Sequence, residues 1–207
     1  MEFWNDIVTD KSWDILIKLT KEFKFTIIGG WATYLHTKTL KSKDIDIVVD
    51  FDTLEQIGSK YRLKKNTNLR KYEIIVDGVS VDIYVPFFSK LIIPLEDLSD
   101  HCISIEGMKV VTSEILLILK QQAELDRKDS IKGQKDRADI LNILINSDVE
   151  IKKYVYLVRK YDLKNYPKRL MKIIKTSEKE LEYLGIKNPR KIKLLRKELI
   201  KRLQESS

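Results

Sequence analysis

The chain has 207 residues, 43% of them hydrophobic and 34% charged, with 7 Gly and 4 Pro. That composition supports a folded core and excludes a disordered or low-complexity protein. A single cysteine, Cys102, excludes an internal disulfide and a cysteine metal cage, so any metal chemistry must use oxygen ligands.

The net charge of +8 is unevenly spread. Residues 1–150 carry 21 Lys+Arg against 25 Asp+Glu, a net −4, whereas residues 151–207 carry 18 against 6, a net +12. A basic tail on a mildly acidic body suits contact with a polyanion, nucleic acid first, although Lys-rich helices also solvate themselves and charged surfaces are common in thermophiles. No apolar run approaches the roughly 18 residues of a membrane span. The N-terminus shows no basic segment followed by an apolar stretch, so the expected location is cytoplasmic, with no membrane association.

Taken in chain order, Asp10 precedes apolar positions Trp13, Ile15, Ile17 and Leu19, which predicts a first helix with Asp10 as its cap. Phe25-Thr-Ile-Ile predicts a strand that runs into Gly29-Gly30, and Trp31-Ala-Thr-Tyr-Leu-His then starts a helix. Asp44-Ile-Asp-Ile-Val-Val is β-branched and predicts a buried strand. A short helix follows around Thr53–Ser59. Tyr72-Glu-Ile-Ile-Val and Val79-Ser-Val-Asp-Ile-Tyr-Val flank Asp77-Gly78, a tight-turn signal between two strands. Residues 103–111 predict a smaller hairpin broken at Gly107. A helix over Glu114–Leu125 takes Thr112 or Ser113 as its cap. Residues 126–133 form a polar connection and Gln134–Ile145 another helix. From Val149 only helical patterns remain, interrupted near Pro167, Gly185 and Pro189. The expected fold is therefore α/β (α+β), a mixed sheet flanked by helices, with a catalytic domain over 1–148 and a basic, all-α region over 149–207.

The chemistry centres on carboxylates. Asp44 and Asp46 lie two apart on the expected strand, so their side chains share a face. Like charges that close raise each other's pKa unless a cation neutralises them, which calls for a metal or for exposure. Asp82 repeats the pattern of one acid on the polar face of an apolar strand. Three such oxygen donors suit Mg²⁺ (or Mn²⁺), which takes a few carboxylates, substrate phosphate and water. Two such ions can activate an attacking hydroxyl and stabilise leaving pyrophosphate. Gly29 and Gly30 allow close approach of backbone to the β- and γ-phosphates at a helix start.

Strand, Gly-Gly, helix, Asp-x-Asp on a strand and a later lone Asp together resemble the nucleotidyltransferase superfamily that includes DNA polymerase β. Thirteen residues, Trp31 to Lys43, separate Gly30 from Asp44. Gly29-Gly-Trp-Ala, Leu35-His36 and Ser42-Lys-Asp-Ile-Asp-Ile are closest to the AbiEii-type branch, which includes toxins of type IV toxin–antitoxin systems. Lys120, Arg127 and Lys135-Asp136-Arg-Ala-Asp139-Ile are similar to that branch's later motifs. The resemblance covers roughly residues 25–145. Many relatives carry Ser where this chain has Gly30, and an Arg where it has Leu40.

The resemblance implies a nucleotidyltransferase-like fold and transfer of a nucleoside monophosphate from an NTP to an acceptor hydroxyl. Asp44, Asp46 and Asp82 would be catalytic and metal-binding; Gly29, Gly30, Ser42 and Lys120 would be nucleotide-binding. Candidate acceptors are an RNA end such as tRNA, a protein hydroxyl and a small molecule of antibiotic type, and an antitoxin-like protein is a candidate partner. The rival reading is a nucleotide- or RNA-binding protein of the same fold without turnover. Lys120 on its own residues reads equally as a phosphate contact or as a solvated lysine; Asp136 and Asp139 read as a solvated face or as partners of Lys120 and Arg127. His36 reads as packing. Tyr154, Tyr156, Tyr161 and Tyr166 read as core ahead of base-stacking.

Overall fold

Residues 6–128 and 130–206 are described by the computed structural model. The chain divides into two compact units, Glu2–Thr112 and Ser113–Ser207.

In the first unit, helix α1 (Asp6–Glu22) buries Ile15, Leu16 and Leu19. It begins a turn before Asp10, so that residue is not its cap. Strand β1 (Thr26–Ile28) is buried along its whole length and passes directly into α2 (Gly29–Thr37). Trp31 is fully buried, donates its indole N–H to Ser12 Oγ at 2.9 Å and packs against Trp13 with ring centroids 5.0 Å apart. That contact fixes α2 against α1. Strand β2 (Ile45–Val48) starts one residue after Asp44, which lies in a bend; α3 (Phe51–Lys60) is capped by Asp50, whose carboxylate accepts from Thr53 N at 2.7 Å.

Strands β3 (Lys64–Asn66), β4 (Lys71–Val76) and β5 (Val79–Tyr84) follow. Asp77 and Gly78, at φ 50° and 82°, make the two-residue turn between β4 and β5 that their sequence predicts. A 3₁₀ turn over Leu95–His101 leads to the hairpin of β6 (Cys102–Ile105) and β7 (Met108–Val111). All seven strands form one mixed sheet in the order β3-β4-β5-β2-β1-β7-β6, in which β2–β5 and β1–β7 are the parallel pairs. Its core includes Ile27, Ile45, Ile47, Val81, Ile83 and Val110.

The second unit is helical: α4 (Ser113–Arg127), α5 (Ile131–Asn146), α6 (Ile151–Lys160), α7 (Tyr166–Thr176), α8 (Glu178–Tyr183) and α9 (Pro189–Ser206). Helix α5 begins at Ile131, capped by Ser130, whose hydroxyl accepts from Gly133 N at 3.1 Å; the polar connection expected over 126–133 is therefore shorter. Helix α4 packs on α5, α6 and α7, and α5 on α8. The packing division at residue 113 thus differs from the expected break near 148, which followed charge. Ile115–Ile118 of α4 and Ile140–Leu144 of α5 supply apolar surface to the later helices, whatever those helices carry outside. No helix among the described residues is long and apolar enough to cross a membrane.

Candidate active site

Sheet register assembles the acids. Asp46 on β2 pairs in register with Asp82 on β5, and Asp82 pairs with Glu73 on β4, which in turn pairs with Lys64 on β3. In-register residues on neighbouring strands share a face and lie about 4.8 Å apart between strands. One row of side chains on one face therefore reads Asp46, Asp82, Glu73, Lys64. Asp44, in the bend just before β2, lies outside that row but is close enough for its charge to act on Asp82.

The glycine turn meets the row at its β1 end, where Ile28 pairs with Asp46. Gly29 has φ +68°, and a Cβ built on it would lie 2.2 Å from Asp46 Oδ2, 2.7 Å from Cγ and 2.9 Å from Cβ. Only glycine combines that conformation with that contact. The first turn of α2 is thereby held against the carboxylate of Asp46. Gly30 is buried in the same turn, and the N-cap residue of the helix, Ile28, makes no side-chain cap hydrogen bond. Ser42 is buried in the approach to β2.

Glu73 and Lys71 are the parts of the site that motif reading missed. The Lys71 ammonium lies 2.6 Å from Asp82 Oδ2 and 3.3 Å from Glu73 Oε1, while Asn66 Nδ2 donates to the same Glu73 oxygen at 2.9 Å. Burial pushes the Asp82 carboxyl above the ordinary value against the pull of Lys71, and the charges of Glu73 and Asp44 add to the rise. For Lys71 burial works the other way, lowering the ammonium's pKa, but Asp82 and Glu73 more than offset it and leave the value raised. The Asn66 hydrogen bond, then Lys71, holds Glu73 below its ordinary value. A sequence signal for Glu73 existed: a two-residue turn at 77–78 places residue 73 opposite residue 82 by counting back along the hairpin.

The donors present, carboxylate oxygens beside the glycine turn at the start of α2, match the chemistry of a hard divalent ion. Among the described residues, no three His, Cys, Asp or Glu side chains converge in a metal-ligating arrangement, and Lys71 is bonded to Asp82.

Lys120 belongs to the helical unit and is only 7% exposed, which removes the solvated reading. Its ammonium lies 2.6 Å from Asp139 Oδ2 and 3.8 Å from Asp136 Oδ1, and Arg127 pairs with Asp136 at 2.7 Å. Asp136 and Asp139 are therefore not a solvated face but buried partners of Lys120 and Arg127. Lys135 joins at 3.4 Å from Asp139. The tyrosines divide: Tyr154 and Tyr166 are buried, Tyr154 donating to Gln121 Oε1 at 2.7 Å, whereas Tyr156 is 63% exposed. His36 bonds through Nε2 to Val111 O at 2.8 Å, consistent with packing.

No family model matches the chain, and no curated protein matches it. Solved structures do. JHP933 from Helicobacter pylori superposes with a TM-score of 0.53 at 15% identity, covering 97% of this chain and 95% of that one. A candidate nucleotidyltransferase from H. pylori gives 0.51 at 14% identity, covering 99% of each chain. ANT(2")-Ia in complex with adenylyl-2"-tobramycin gives 0.52 at 12% identity, covering 77% of this chain and 99% of that one. With a mixed seven-stranded sheet flanked by helices and these structural likenesses, the chain has a nucleotidyltransferase-like fold.

Proposed function

We propose that the chain is a metal-dependent nucleotidyltransferase that moves a nucleoside monophosphate from an NTP to an acceptor hydroxyl on RNA. The observation that carries the reading is the contact of Gly29 with Asp46, whose strand neighbour in register is Asp82. A Gly-Gly helix start bound to one acid of a carboxylate row is what phosphate delivery to a metal requires, since backbone amides can meet the phosphates while the acids hold the cation.

Asp44, Asp46 and Asp82 would hold Mg²⁺ or Mn²⁺. Bound there, the metal would supply Lewis-acid stabilisation of phosphate charge and a lowered pKa for the attacking hydroxyl. The chain's own part is geometric and electrostatic. Gly29 and Gly30 present backbone to the triphosphate, β2 and β5 fix the acids at strand spacing, and the buried Trp31 keeps α2 from drifting. Ser42, from its buried place before β2, completes the proposed nucleotide contacts.

RNA, with a tRNA end as the specific proposal, is favoured as acceptor by the exposed cations of the helical unit. Lys152, Arg159 and Lys160 on α6, Lys168, Lys172 and Lys175 on α7 and Arg190, Lys191, Lys193, Lys197 and Lys201 on α9 all face solvent. The AbiEii-type motifs add the proposal of a toxin that acts in the cytoplasm beside an antitoxin-like protein. A second reading, nucleotide binding without turnover, is favoured by the Lys71–Asp82 pair, which occupies one of the acids.

Incubation of the purified chain with each α-labelled NTP, Mg²⁺ and total cellular RNA and protein separates these readings. Label should enter the RNA fraction, with equimolar pyrophosphate released and EDTA abolishing both. Label in protein or in small molecules would reassign the acceptor. Saturable NTP binding with no pyrophosphate release would establish the second reading and overturn the first.

A further inference from the structure

A lysine rarely gives up water without a structural reason, because desolvating an ammonium is costly unless it is paired. The Lys71 side chain is only 12% exposed, and its two carboxylate partners lie on the face that carries Asp46. Lys64, which stands opposite Glu73 in the row, is 76% exposed and sits 3.9 Å from Glu73, an ordinary surface contact. The difference between the two lysines points to need. Asp46, Asp82 and Glu73 stand on three adjacent strands with Asp44 nearby, and such a row demands positive charge inside it.

Lys71 supplies that charge by the same Asp82 carboxylate that a divalent ion would use. Oδ2 of Asp82 cannot be fully engaged by an ammonium at 2.6 Å and also serve as an inner-sphere metal ligand facing the same way. Glu73 offers the ammonium somewhere to go. Its Oε1 is already 3.3 Å from Lys71 Nζ and is fixed by Asn66, so a small swing of a flexible four-carbon stem exchanges one carboxylate for the other.

We propose that Lys71 is the resident cation of the carboxylate row, that divalent metal binds by displacing its ammonium from Asp82 toward Glu73, and that Lys71 and Glu73 together set the metal concentration the site requires. Lys71 and Glu73 are positioning residues in this scheme, acting through Asp82. The inference rests on the metal-centre reading above.

The test is direct Mn²⁺ binding, read at fixed pH from the loss of the free-ion electron paramagnetic resonance signal, in the full chain without NTP. Removing one positive charge a few ångströms from a partly buried cation site should tighten binding on the order of tenfold or more in Lys71→Met. Lys71→Gln, which keeps a polar side chain, should tighten it similarly and guards against a packing defect peculiar to Met. Glu73→Gln, which removes the ammonium's alternative partner, should weaken binding relative to the unmodified chain. Equal affinity in the unmodified chain and both Lys71 variants, or weaker binding in the variants, would overturn the competition while leaving the metal centre standing. No millimolar-range Mn²⁺ binding by any form would overturn both. Asp46→Asn should lose binding in either background, which locates the site.

Discussion

The contact between Gly29 and Asp46 makes a quantitative prediction for Gly29→Ala. An alanine held at φ +68° is in the left-handed region, which costs about 1–2 kcal/mol. Its Cβ would also lie below 3.0 Å from three atoms of Asp46, including the Asp46 Cβ at 2.9 Å. Swinging the carboxylate away relieves the two outer contacts but not that one, because the Asp46 backbone is fixed by pairing with Ile28 and with Asp82. The residual overpacking adds about 1–3 kcal/mol, giving roughly 2–5 kcal/mol in all. Gly78→Ala and Gly107→Ala are the controls. Their φ values, +82° and +79°, carry the same conformational strain, but nothing lies within 4 Å of an added Cβ, so each should cost only about 1–2 kcal/mol. Urea denaturation followed by circular dichroism measures all three. If Gly29→Ala falls within about 0.5 kcal/mol of the controls, the scatter expected of independent sites, the turn does not bear on Asp46 and the cradle argument fails.

In the helical unit, Glu124 is fully buried and paired with Arg169, whose Nε donates to Oε2 at 2.8 Å. Arg169→Ala strands that carboxylate and should destabilise the unit by about 3–5 kcal/mol in denaturant melts, whereas a loss below about 1 kcal/mol would mean that the pair is dispensable. Asp50, the cap of α3, has its pKa held below the ordinary carboxylate value by Thr53, first through the hydroxyl and then through the backbone N–H. Its stabilising contribution is therefore present above the unfolded-state pKa and is lost as pH falls through the lower folded-state value. Asp50→Ala should cost about 1 kcal/mol at neutral pH, with the gap from the unmodified chain narrowing in acid below about pH 4; a gap independent of pH would contradict the carboxylate's role. If the exposed cations of α6, α7 and α9 meet RNA, log Kd for a tRNA-sized probe should rise linearly with log salt, and Lys191→Ala with Lys193→Ala should reduce the slope by about 1 or more; a flat dependence would remove the acceptor argument.

How much of this the sequence disclosed depends on the range of the interactions. Asp77-Gly78 fixed a hairpin because two residues with positive φ leave the chain few alternatives, and Gly29-Gly30 announced a strand-to-helix turn in which Gly29 alone takes positive φ. Strand β3 was invisible: Lys64-Lys-Asn lacks every β-former and exists as an edge strand by pairing with β4. The parallel pairing of β2 with β5, which brings Asp46 beside Asp82, is a long-range choice with no local signature. Lys71 was unreadable on similar grounds, since its partners come from its own strand and from the next one. The packing division at Ser113 has no counterpart in the charge profile, which changes near 150, because apolar burial is continuous from α4 onward.

The central claim is that the Asp46 and Asp82 row performs metal-dependent nucleotidyl transfer. It is tested most directly by pyrophosphate release and transfer of α-label to RNA in the unmodified chain and in Asp46→Asn, each titrated with Mg²⁺ and each checked for fold by circular dichroism. The account predicts Mg²⁺-dependent label transfer with equimolar pyrophosphate in the unmodified chain, and none above background in a folded Asp46→Asn. Undiminished transfer by Asp46→Asn, or transfer that persists in EDTA, would contradict it.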